Sequence, residues 1–199
     1  MFNHRIINHL NIYYLGLILI AVSLPLSKFA LSVSIFILLG NWILEGKFRR
    51  KINILKNRGS VLIISSIVFI HIIWLFKTSD IQSGLHDIQI KSSLLALPLI
   101  IGTSRGLEKK QIGIIMLFFI AAVTVASLII AFIFFGFTGV AVDNIKDASV
   151  FISHIRFSLM VNVAIFFLAL FVFDNYYFNP SGIAKIIFII TLFWLIIFL

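Results

Sequence analysis

With 199 residues, 61% hydrophobic and only 12% charged, the chain has too little polar surface for a water-facing shell, and its mean hydropathy of +1.16 points to an integral membrane protein. Its +9 net charge and pI near 10.1 would suit nucleic acid, but the basic residues lie in short loops between apolar runs, where they report topology and contact with anionic lipid headgroups. The absence of cysteine excludes a disulfide framework, a thiol nucleophile and a Cys-based metal site.

Met1–Leu10 carries His4, Arg5 and His9 ahead of an apolar run from Ile12 to Leu26. Val22–Leu26 lacks the small-residue pattern of a cleavage site, so this run predicts a retained first helix, not a signal peptide. Pro25, Ser27 and Lys28 break it, and Phe29–Leu44 forms a second span with Trp42 near its end. Both runs are shorter than the roughly 20 residues a crossing helix needs, so flanking residues complete them and a tight helical hairpin results. Glu45–Arg58 sets Lys47, Arg49, Arg50, Lys51, Lys56 and Arg58 against one acid, which marks a cytoplasmic loop.

Val61–Phe76 is the third span, with His71 inside it as an interhelical histidine and Trp74 near the far interface. Lys77–Lys91 is polar and mixed in charge, and Asp87 and Lys91 are spaced to pair across one helical turn. Ser92–Gly102, with Pro98, is too short to cross, but a start near Leu85 gives about 18 residues and sets Asp87 and Lys91 at the outer interface. Arg105, Lys109 and Lys110 mark another cytoplasmic loop, and Ile112–Gly136 is a span without a charge. Phe137–Ile152 returns to loop character, Phe157–Phe173 is the sixth span, and Asp174–Lys185 is a turn. Ile186–Leu199 opens a seventh span and stops within it. The expected fold is therefore all-α: a polytopic transmembrane helical bundle of six complete spans plus a truncated seventh. Residues 1–199 form one transmembrane domain, read as the N-terminal half of a longer protein.

The distribution of Lys and Arg fixes the expected orientation. With the N-terminus cytoplasmic, the inner segments hold eleven cations: Arg5, six in the 45–58 loop, Arg105, Lys109, Lys110 and Lys185. The outer segments hold five: Lys28, Lys77, Lys91, Lys146 and Arg156.

Phe151–Val161 then lies at the outer end of the sixth span and is the candidate site. With Ser153 as N-cap, His154 and Arg156 become the first and third helical residues. Cations oppose the macrodipole there, whereas an anion is welcomed by the dipole and the free N–H groups. A basic pair in that position suits a phosphate, which a planar guanidinium grips in two places. The competing reading is an arginine that snorkels to headgroups. If Asp147 caps instead, His154, Ser158 and Asn162 form a polar stripe that bonds a neighbouring helix or lines a transport path. Lys91, with Asp87 and His86, extends the outer site or forms an interfacial salt bridge. No zinc-type spacing, Walker loop, nucleophile elbow or dinucleotide fingerprint is present, so neither a metal nor a cofactor is expected.

The run Ser153-His154-Ile155-Arg156-Phe157-Ser158-Leu159-Met160 resembles the segment entering the core of the O-antigen ligase/polymerase family. Ser23-Leu24-Pro25-Leu26-Ser27 and Asn41-Trp42-Ile43-Leu44-Glu45-Gly46 are similar to its front helices. So are Thr78-Ser79-Asp80 and Ile88-Gln89-Ile90-Lys91 leading to Leu97-Pro98-Leu99. The resemblance implies a bacterial inner-membrane glycosyltransferase that moves a glycan from undecaprenyl pyrophosphate onto lipid A core or another glycan. It needs neither a nucleotide sugar nor an obligatory metal. It implies that Arg156 matches the family's first-half arginine that holds the pyrophosphate from the periplasmic side, and His154 belongs to the same local motif. Ser153, from the capping reading, and Lys91, from its place at the outer interface, are expected to join them. The family's acceptor-activating loop histidine and later helices have no counterpart here, so this part alone is expected to be inactive. The implied partners are the lipid-linked glycan, its acceptor and membrane lipids, with no nucleic acid. A polysaccharide polymerase, a transporter or channel subunit, and a nonfunctional remnant stay open beside the ligase.

Overall fold

The computed structural model describes residues 2–75, 82, 84, 95–135, 153–174, 177 and 180–199, with backbone alone for 2–8, 67, 69, 71, 72 and 75. The elements among these are helical: α1 (Phe2–Leu26), α2 (Lys28–Glu45), α3 (Phe48–Asn57), α4 (Gly59–Leu75), α5 (residues 95–103), α6 (Lys109–Phe134), α7 (His154–Phe173) and α8 (Gly182–Phe198). Four of them (α1 from His9 onward, α2, α6 and α7) are long and apolar enough to cross a membrane, and α8 is a shorter apolar helix. An all-α membrane protein is thus what the helices support.

Ser27 makes the α1–α2 corner by itself. Its N–H closes the last turn of α1 on Ser23 O at 2.8 Å, and its carbonyl opens α2 by accepting from Leu31 at 3.0 Å. Its hydroxyl accepts from the Ala30 N–H, which satisfies one of the orphan donors at the start of α2. The corner is therefore one residue long, and the expected hairpin forms.

The segment expected to be a cytoplasmic loop contains a helix. In α3, Phe48, Ile52 and Leu55 recur at i, i+4 and i+7, while Arg50 and Asn57 take the opposite face. Charge counting recognises the sign of this stretch but is blind to its period. The link from α2 is tight, with Gly46 (φ 65°) and Lys47 (φ 51°) both left-handed. At α6 the start moves back to Lys109, because Glu108 and Gln111 form a reciprocal capping box that draws both lysines into the first turn.

The chain divides into two compact units. The first comprises Met1–Tyr13 and Ile35–Gly106, the second Tyr14–Ser34 and Leu107–Leu199. In the second unit, Phe157, Val161, Ala164, Leu168 and Phe171 of α7 follow a four-three spacing that keeps one seam facing its neighbours. Phe119, Ile120, Val123, Ala126 and Ile130 of α6, Leu195 of α8 and Ala21 of α1 complete this core. Lipid tails are as apolar as these side chains, so close packing holds the helices together, and Ala126 and Ala164 allow near approach. One polar tie crosses the core: Trp194 Nε1 donates to Ser127 Oγ at 2.8 Å, and that hydroxyl donates to Thr124 O.

In the first unit, Gly102 of α5 meets Val61 of α4 so closely that a Cβ at Gly102 would lie 2.6 Å from a Val61 methyl. Arg58 Nη1 donates to Gly102 O at 3.0 Å, so a cation meets one of the carbonyls that the helix end leaves open.

Candidate functional site

The helix start expected at the sixth span is observed. α7 begins at His154, and the Ser153 carbonyl accepts from Phe157 N at 3.1 Å. Ser153 has the N-cap position, but its hydroxyl makes no capping bond, so that part of the capping expectation is not realised. Ser153, His154 and Arg156 are exposed, and among the described residues neither basic side chain has a partner. His154 and Arg156 are the first and third helical residues, about 200° apart around the axis, so the backbone does not stack them on one face. Both still border the free N–H groups of the first turn. Lys91, Asp87, His86 and Asp147 lie outside the described residues, as does the His71 side chain. Asn162 donates to the Ser158 carbonyl of its own helix at 3.0 Å, which draws the polar stripe back onto α7.

The first unit contains a second polar site. His9 and Asn41 are locked reciprocally: Asn41 Nδ2 donates to the His9 carbonyl at 3.0 Å, and Asn41 Oδ1 faces His9 Nδ1 at 2.8 Å. An amide oxygen cannot donate, so Nδ1 carries a proton and donates it to Asn41. One turn further along α1, the Tyr13 phenol bonds the Ser104 side chain. Trp42 Nε1 donates to Thr103 Oγ1 at 2.8 Å, tying the end of α2 to the end of α5.

Lys51 anchors this end of the unit although it is only 3% exposed. Its Nζ donates to the Trp42 carbonyl at 2.6 Å, pairs with Glu45 Oε2 at 3.2 Å, and lies 4.3 Å from the Trp42 ring centroid. Trp42 O is one of the carbonyls left without an intrahelical partner at the end of α2, so a single ammonium satisfies a carbonyl, a carboxylate and an aromatic face.

These ties border an open cavity of about 220 Å³ lined by His9, Tyr13, Asn41, Glu45, Lys47, Arg50 and Arg105 among others. Among the described lining residues Glu45 is the one acid, and Lys51 already neutralises it. Arg50, from α3, and Arg105, from the segment after α5, have no ion-pair or hydrogen-bond partner among the described residues. The cavity is therefore electropositive, with donors arriving from separate chain segments.

Sequence reasoning had Arg50, Lys47 and Arg105 as topology signals and did not join them into a site. A signal was present in the period of Phe48, Ile52 and Leu55, which makes residues 48–57 a helix able to hold Arg50 in place. Nothing in the spacing shows that Arg105, more than fifty residues later, reaches the same concavity. No protein-family model matches the chain, and neither a curated protein nor a solved structure matches it.

Proposed function

We propose that this chain is the membrane-embedded front part of a lipid-linked glycan transferase of the O-antigen ligase type. Its N-terminus lies in the cytoplasm, and the start of α7 faces the periplasm of a bacterial inner membrane. In this reading Arg156, His154 and Ser153, joined by Lys91, hold the pyrophosphate of an undecaprenyl-linked glycan. The observation that carries it is that α7 begins at His154, so an exposed arginine stands on a first turn whose own N–H groups and dipole attract an anion. The resemblance of residues 153–160 to the family supplies the identity of that anion. The arginine grips and orients the diphosphate leaving group and offsets the charge that develops on it as the glycan departs. The acceptor-activating group comes from family segments outside the resemblance.

The experiment is binding of undecaprenyl pyrophosphate by the purified chain in lipid nanodiscs, followed by retained lipid. Arg156→Ala should weaken retention by about tenfold, the worth of one charge-assisted contact. Arg156→Lys should recover only part of it, since a point charge lacks the planar fork. Equal retention by the wild-type and alanine chains would remove the assignment.

A further inference from the structure

We infer that the electropositive cavity of the first unit is a binding site for a phosphate monoester or diester, gripped by the guanidinium groups of Arg50 and Arg105 with Lys47 as a third cation. The inference is independent of the α7 site and uses none of its residues.

Two arginines from separate chain segments line one concavity and have no partner among the described residues, although a carboxylate shares the wall. That carboxylate, Glu45, is engaged at 3.2 Å by the buried Lys51, and its other oxygen stands 3.9 Å from Lys47 Nζ. Among the described residues the positive charge of the cavity is thus uncompensated, and planar guanidinium forks match the oxygens of a phosphate. The hydrogen-bonded Tyr13 and Ser104 hydroxyls stand along the same wall, and the one O–H their pairing leaves free can donate to a remaining oxygen. Leu10, Leu38 and the Trp42 ring supply an apolar side for a carbon substituent.

Size agrees. The cavity of about 220 Å³ is several times what one water needs, so it has room for a phosphate with a small carbon substituent. Backbone conformation agrees as well. Lys47 is the non-glycine residue with positive φ among the described residues, and the fold keeps a lysine in the cavity lining in a conformation that a glycine would adopt without cost.

A phosphodiester headgroup of an anionic lipid and a soluble phosphate ester share this chemistry, so the test has two arms. In the first, the full chain is extracted from vesicles of mixed phosphatidylglycerol and phosphatidylcholine, and retained lipid is identified by mass spectrometry. In the second, glycerol 3-phosphate and inorganic phosphate are titrated calorimetrically into the chain in phosphatidylcholine nanodiscs. Selective retention of phosphatidylglycerol assigns the site to a lipid headgroup, and saturable binding in the second arm assigns it to a soluble ester. In either arm, Arg50→Gln and Arg105→Gln should each weaken binding by about tenfold, as loss of one charge-assisted contact predicts. Lys56→Ala removes an equal charge from α3 outside the cavity and should leave binding unchanged. Both arginines are exposed, so the glutamine variants should keep the wild-type circular dichroism. Binding in neither arm, or an equal loss in Lys56→Ala, overturns the inference.

Discussion

Lys51 shows how a charge can be buried at the end of an apolar helix when its lost hydration is replaced. Its ammonium replaces lost water with a carbonyl, a carboxylate and a ring face, and Glu45 remains half-buried, so the pair is not fully dehydrated. Lys51→Met keeps the stem and removes the charge, leaving the Trp42 carbonyl open and Glu45 unpaired. The expected loss is about 2 kcal/mol, below that of a fully buried pair because Glu45 can rehydrate. A chemical denaturation series in detergent micelles measures it. Lys47 tests the opposite balance. Lys47→Gly relieves the left-handed conformation, offset in part by greater freedom of the unfolded chain, for a net gain of about 0.5 kcal/mol. The same variant should bind phosphate more weakly. A chain that becomes more stable while losing affinity would separate the backbone role of position 47 from the role of its charge.

At the scale of elements, the α4–α5 contact depends on the missing side chain of Gly102. The 2.6 Å approach of a built Cβ to Val61 is below any van der Waals contact, so Gly102→Ala forces a backbone shift or a strained valine rotamer. A cost of about 2 kcal/mol is expected, seen as a lower denaturation midpoint. Val61→Ala opens the space the new methyl requires, so the double variant should be more stable than Gly102→Ala alone. Additive losses would show that the strain is not relieved at Val61. Of these elements, the apolar runs of α1, α2, α6 and α7 were legible in the sequence, since long stretches without charge fix the type of element. Their ends were less so: the capping box of Glu108 and Gln111 extends α6 into what reads as loop charge. α3 was missed because its apolar stripe is three residues wide inside a basic run. The motif Asn41–Gly46 was visible as a string, but its uses were not. Asn41 holds His9, Trp42 holds Thr103, Glu45 holds Lys51, and Gly46 makes the turn, and every side-chain partner lies in another element.

At the scale of the whole molecule, the charge count makes a claim that geometry supports in part. It placed the N-terminal segment, the 45–58 stretch and the loop around Arg105 on one face of a membrane. In the first unit, His9, Arg50 and Arg105 line the same cavity, so these three segments do share one end. The proposal that this end is cytoplasmic rests on the excess of Lys and Arg, eleven against five, and on the preference of basic loops for the cytoplasm. Because the chain has no cysteine, single cysteines can report orientation without background. Lys56→Cys, Gly106→Cys and Ser181→Cys lie in segments assigned to the cytoplasm, and Ser153→Cys lies at the opposite end of its helix. With a membrane-impermeant maleimide on spheroplasts, Ser153→Cys should label, and the other three should label only after permeabilisation. The reverse pattern would set Arg156 in the cytoplasm, beyond reach of a pyrophosphate presented from the periplasm, and the glycan-transfer reading would fall. The cavity of Arg50 and Arg105 would survive that result, with its phosphate arriving from the other side.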